Sequence, residues 1–144
     1  MMLPRLIVVD RSKFTLDIFT WRLRTRRYHN TDTFLVTVGK QGSRTPHGLY
    51  FVQGKSRQPD WEVPPNPDYP EYLWGHIYRY GTDGNPFDAG FISLSGKESG
   101  IGIHGTSFDP KVGTESSHGC IRMRSEDLLK IYEKCKTDMP VYIH

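Results

Sequence analysis

Cysteine is scarce: only Cys120 and Cys135 occur in 144 residues. A fold stapled by several disulfides is therefore excluded, and at most one bridge could form in an oxidising compartment. The two settings differ, since Cys120 sits in a Ser/His/Gly turn and Cys135 on the apolar stripe of a helix, so one thiol reads as exposed and the other as packed. Long apolar runs are also missing. None exceeds the four residues Leu6–Val9, far short of the ~20 needed to cross a bilayer. The opening MMLPRLIVVD is too short for the apolar region of a signal peptide and no small-residue cleavage site follows. The expectation from this is a chain kept inside the cell or a trimmed form.

Net charge is small, at +3. The basic residues do cluster, in Arg22, Arg24, Arg26 and Arg27, but no nucleic-acid motif or row of stacking aromatics accompanies them. Nucleic acid is not expected as a partner. Alternation through Trp21, Leu23 and Thr25 places these arginines on the wet face of a strand, a face that could attract an acidic polymer. A hydrophobic share of 36% and a charged share of 24% are those of a globular protein, and the length fits one domain, residues 1–144.

The first half reads as strands. Leu6–Asp10 and the alternating run from Phe14 to Phe19 flank turn residues Asp10–Lys13, predicting a hairpin. Thr33–Val38 and Gly48–Gln53 follow. Residues Gly54–Pro70 carry five prolines, too many for a regular element. This segment, extending to residue 84, reads as a lid or substrate wall, or as an ordered cover over one end of the core. Phe91–Leu94, Ile101–His104, Ile121–Met123 and Val141–Ile143 are further strand candidates. One helix is predicted over about 125–136, with Ser125 as N-cap, Glu126 and Asp127 in the first turn and Leu128, Ile131, Tyr132 and Cys135 on one face. The fold class is mainly β, with one late helix packed on a sheet.

Chemistry concentrates in Ile101–Met123, IGIHGTSFDPKVGTESSHGCIRM. A free thiol is only a few per cent thiolate at neutral pH, so a catalytic cysteine needs an imidazole beside it. His104 ends an apolar strand sixteen positions before Cys120, and the intervening loop is long enough to return the chain to it. His118 competes, being on the same face as Cys120 if the segment is extended, but adjacent side chains on one strand diverge. His104 is the favoured base. Gly105 would offer its carbonyl to the other imidazole N–H, and the N–H groups of Gly119 and Cys120 could face a developing oxyanion. Arg122 could bind a substrate carboxylate bidentately or pair with Glu126. A metal site from His104, His118 and Cys120 is disfavoured by the spacing of the last two.

His-Gly-Thr, a Ser/Gly/Asp/Pro loop and Ser-His-Gly-Cys-Ile-Arg-Met together resemble the signature of the YkuD-type L,D-transpeptidase catalytic domain. LIVVDRSKFTLDIF, VTVGKQGSRTPHGLYFV, NPFDAGFISLSGKESGIGIHGT and DMPVYIH resemble its other blocks, so all but 54–84 is covered. The resemblance implies a β-sandwich-like fold and a role on peptidoglycan stem peptides in the periplasm or cell wall. It implies Cys120 as nucleophile, His104 as base and Gly105 as the orienting carbonyl. Ser117, His118 and Gly119 would shape the turn and oxyanion hole, and Arg122 is the motif's arginine. The implied reaction acylates Cys120 with the stem at the bond between its third residue and D-alanine, and an amine resolves it as a 3→3 cross-link. The alternatives are an L,D-carboxypeptidase or endopeptidase with the same site, or a non-catalytic wall-binding module. No cofactor is expected, because thiol acyl transfer draws on the bond it breaks.

Overall fold

The structure, a computed structural model, describes residues 3–96, 100–106 and 112–144. Twelve strands and one α-helix occur among them. They are β1 (Arg5–Asp10), β2 (Thr15–Arg22), β3 (Arg27–Leu35), β4 (Val38–Gly39), β5 (Gly48–Ser56), β6 (Trp61–Glu62), β7 (Ile77–Tyr78), β8 (Asp88–Gly96), β9 (Gly102–Thr106), β10 (Glu115–Ser117), β11 (Ile121–Arg124), α1 (Ser125–Tyr132) and β12 (Pro140–Ile143). The fold is mainly β, as the sequence pattern and the resemblance both require.

Eight strands form one mixed sheet in the order β11-β9-β8-β5-β12-β1-β2-β3. The expected β1–β2 hairpin is present, closed by Asp10, whose carboxylate accepts from the Ser12 hydroxyl and from the Ser12 and Lys13 amides. Alternation supplies the inner face: Ile7 and Val9 of β1, Leu16 and Ile18 of β2, Tyr50 and Val52 of β5, Ile92 and Leu94 of β8 are all buried. Residues from both ends of the sheet, Phe34 and Ile121, share a single apolar cluster with α1, so the sheet curls around one core.

Its two edges also meet. Thr37, just past β3, exchanges both backbone hydrogen bonds with Arg122 of β11 (Thr37 N to Arg122 O 2.9 Å, Arg122 N to Thr37 O 3.0 Å). The parallel pairing of β4 with β10 extends this seam. The continuous strand expected over Thr33–Val38 is therefore divided: β3 ends at Leu35, and Thr37 leaves β2 to bind β11.

Two further expectations are corrected. The helix stops at Tyr132 rather than near residue 136. The Lys55 ammonium takes the Tyr132 carbonyl at 2.7 Å, and the chain then turns toward β12 through Asp138, whose φ is +69°. Cys135 lies beyond the helix but remains fully buried. Ser125 is the first helical residue instead of the N-cap, and its hydroxyl donates to Asp88 Oδ2 at 2.5 Å. The arginine cluster is exposed, but only Arg22 and Arg27 lie in strands; Arg24 and Arg26 occupy the turn between β2 and β3.

Residues 54–84 carry more order than their prolines suggest. β6 and β7 pair as a small separate sheet, and Glu71–Leu73 forms a 3-10 turn. Trp61 stacks on Tyr78 at 5.6 Å and meets Tyr69 edge-on at 5.4 Å. Among the described residues, no helix is long and apolar enough to cross a membrane.

Candidate active site

β9 and β11 are parallel neighbours, with His104 directly beside Arg122. Parallel neighbours need a crossover, and the chain from His104 to Cys120 supplies it; residues 107–111 of that connection lie outside the described residues. His104 is thus fixed by the sheet, whereas Cys120 sits in the turn that leads into β11. Both line one cavity of about 430 Å³.

The imidazole of His104 is only 2% exposed. Phe87 packs edge-on against it at 4.7 Å and Phe91 lies nearly parallel to it at 6.0 Å. Its Nδ1 lies 3.0 Å from the Gly105 carbonyl. A carbonyl can only accept, so this contact fixes the proton on Nδ1 and the lone pair of the neutral ring on Nε2. Glycine at 105 is required for a second reason: a Cβ there would lie 2.3 Å from the Asp88 carbonyl oxygen. β8 comes this close because it bulges at Ala89 and Gly90, both at positive φ.

The turn 117–120 is held from inside. The fully buried Ser117 hydroxyl donates to the Cys120 carbonyl at 2.6 Å and accepts from the Gly119 amide at 3.2 Å. Gly119 has φ of +119°, a conformation only glycine adopts readily. In this structure its N–H donates to Ser117 within the turn. Thr45, which sequence reasoning missed, is buried behind the turn. Its hydroxyl accepts from the Gly39 amide at 2.9 Å and donates to the Gly119 carbonyl at 2.7 Å. A lone threonine in a Gly-Ser-Arg-Thr-Pro loop carries no local signal of that role.

Cys120 is half-buried, and its Sγ lies 3.8 Å from the Gly100 carbonyl. Burial pushes the thiol above its ordinary range, opposed by a backbone hydrogen bond from Gly102 and the Arg122 charge. A thiol held neutral in this way needs a base to ionise it.

His118 is turned to other work. Tyr69 Oη lies 3.0 Å from His118 Nδ1, and His118 Nε2 lies 3.3 Å from Asp68 Oδ2, which also pairs with Lys40 at 3.2 Å. Burial, and then the Lys40 charge, lowers the His118 pKa, while Tyr69 is raised by burial. In the neutral ring Tyr69 donates to Nδ1 and Nε2–H donates to Asp68, so both nitrogens are occupied by residues of the 54–84 segment. That segment also supplies Trp61, Glu62, Pro64 and Asn66 to the cavity lining. Arg122 lines the cavity too and makes no ion pair with Glu126 among the described residues. His104, His118 and Cys120 do not form a group able to hold a metal ion among the described residues.

Comparison with known proteins identifies the family. The profile of the L,D-transpeptidase catalytic domain, YkuD, matches residues 4–143. The L,D-transpeptidase family protein YkuD of Bacillus licheniformis is 31% identical over 112 residues, covering 75% of this chain and 52% of the relative. YkuD of Bacillus subtilis is 29% identical over 99 residues, covering 69% and 44%. The chain thus spans about half the length of these curated relatives. Among solved structures, L,D-transpeptidase 3 from Mycobacterium tuberculosis superposes with a TM-score of 0.71 at 20% identity, over 99% of this chain and 61% of that one. The L,D-transpeptidase LdtMt1 in complex with imipenem superposes with a TM-score of 0.71 at 16% identity, over 99% and 59%. With its sequence matched almost end to end and its fold shared, the chain belongs to the YkuD family of L,D-transpeptidase catalytic domains.

Proposed function

We propose that this chain is a cysteine-dependent peptidoglycan L,D-transpeptidase, a single catalytic domain in which residues 54–84 form the substrate wall. The observation that carries the reading is the pairing of His104 Nδ1 with the Gly105 carbonyl, which makes Nε2 the basic nitrogen of a ring that lines the same cavity as Cys120. His118, bound to Tyr69 and Asp68, is not arranged to compete for that role.

His104 takes the thiol proton as Sγ attacks the carbonyl between the third stem residue and its terminal D-alanine. The Cys120 N–H stabilises the oxyanion, and Arg122 binds a stem carboxylate. His104 then returns the proton to the departing D-alanine amine, leaving a thioester. An amine of a neighbouring stem, giving up a proton to His104, attacks the thioester; the C–S bond breaks, the Cys120 thiolate leaves and takes that proton back, and the new amide is the 3→3 cross-link. Such a substrate puts the site of action at the cell wall or in the periplasm. Resolution by water instead would make the enzyme a carboxypeptidase.

Incubation with disaccharide-tetrapeptide followed by mass analysis tests this: cross-linked dimers are expected, and tripeptide alone would replace transfer by hydrolysis. Imipenem, a carbapenem, should add once to Cys120, with the adduct lost in Cys120→Ala and kept in Cys135→Ala. An adduct on Cys135 would refute the site.

A further inference from the structure

The end of the sheet farthest from Cys120 carries features that the fold does not need. Arg22 and Arg27 stand directly opposite each other as register partners of β2 and β3, and like charges in such pairs are unfavourable. Arg26 adopts φ of +54° in the turn between them, where glycine or asparagine would be unstrained. Leu23, at the same turn, is 63% exposed. Among the described residues, no carboxylate pairs with Arg22, Arg24, Arg26, Arg27 or the neighbouring Arg5, whereas Asp32 nearby is already taken by Lys134 at 3.0 Å. Asp138 lines the same hollow as Arg5 and Tyr28, together with Lys134 and Lys136. Below the tip, Trp21 and Tyr28 form an edge-on pair at 5.2 Å.

A solvated hairpin gains nothing from an arginine in strained backbone, opposed like charges and a bare leucine. A negatively charged surface with an apolar interior suits all three. Unpaired guanidinium groups meet lipid phosphates, the leucine leaves water, and the Trp/Tyr pair lies where amphipathic rings favour the interface. A soluble polyanion would use the arginines but leave Leu23 without a partner. We propose that the β2–β3 hairpin tip, Arg22–Arg27, is a docking surface for the face of an anionic lipid bilayer. Because β11 runs antiparallel to β1, docking there turns the Cys120 cavity away from the membrane.

The experiment is co-sedimentation of the full chain with vesicles of phosphatidylglycerol and phosphatidylcholine, compared with phosphatidylcholine alone. Binding is expected only to the first, falling as salt rises. Arg24→Gln and Arg26→Gln should each weaken it about fivefold, and Leu23→Ser should weaken it severalfold, with turnover of a soluble muropeptide unchanged. In the unmutated chain, brominated phosphatidylglycerol should quench tryptophan emission, and Trp21→Phe should remove that quenching. Absence of binding to the anionic vesicles, or of quenching, overturns the proposal. Binding that Leu23→Ser leaves intact and that soluble polyphosphate abolishes overturns it too, in favour of a polyanion site.

Discussion

Thr45 Oγ1 donates a 2.7 Å hydrogen bond to the Gly119 carbonyl across seventy-four positions of sequence, tying the loop after β4 to the turn that carries Cys120. The same oxygen accepts from the Gly39 amide, so one buried hydroxyl satisfies a donor and an acceptor that water cannot reach. Thr45→Val keeps the shape and strands both groups. The expected loss is about 1–3 kcal/mol of stability. Misplacement of the turn should lower kcat by up to about 100-fold while KM changes little. Thermal unfolding and steady-state kinetics on the same preparation check both; unchanged kcat would show that the turn holds its place without Thr45.

Gly105→Ala probes the approach of β8 to β9. The new Cβ would lie 2.3 Å from the Asp88 oxygen, so the strands must part and the acceptor of His104 Nδ1–H must move with them. Overpacking of this kind costs about 1–3 kcal/mol. Activity should fall more than stability explains, visible as reduced turnover well below the midpoint of unfolding.

The two imidazoles should separate in their effects. His104→Ala is expected to reduce acylation by about 10²–10⁴-fold, the usual worth of general acid–base catalysis. His118→Ala removes the link to Tyr69 and Asp68, loosening the wall of the cavity, and should raise KM with a smaller change in kcat. Stopped-flow acylation by imipenem measures the first and muropeptide kinetics the second. A greater loss at 118 than at 104 would reverse the assignment of the base.

Cys135 gives a pH dependence of stability. Burial pushes its thiol up to about 11, above its value in the unfolded chain. Between roughly pH 8.5 and 11 the unfolded state therefore holds fewer protons at this site, and the stability it contributes below that window is lost as pH rises through it. Cys135→Val removes the titrating group without changing its volume much. Unfolding free energies across the window should decline less steeply in the variant, by up to about 3 kcal/mol at the alkaline end. Parallel slopes would show that this thiol does not ionise on unfolding.

What could be read in advance follows the range of the interactions. The β1–β2 hairpin was legible because Asp10 caps its own turn and the flanking runs alternate. The acidic first turn and apolar face of α1 were legible for the same local reason, but its end was not, since Lys55, far away in sequence, takes the Tyr132 carbonyl. The Cys120 turn was visible in Ser-His-Gly-Cys, yet the engagement of the Gly119 amide by Ser117 depends on a buried rotamer. Thr45 and the Thr37–Arg122 seam leave no pattern because each joins segments more than seventy residues apart in sequence through isolated hydrogen bonds. The wet arginines were foreseen; their turn was not, because Arg26 occupies a backbone region that arginine seldom enters.

The strand β12, four residues long, lies between β5 and β1 and pairs with both. Without it the long sheet falls into two ribbons, one of three strands and one of four, each with a bare edge. A growing chain therefore exposes both of these edges until residues 140–143 have been synthesised, although the Thr37–Arg122 seam and the β4–β10 pair already join the ribbons on the far side, and association with other nascent chains competes with closure during that interval. Truncating these residues should yield aggregates instead of a slower enzyme.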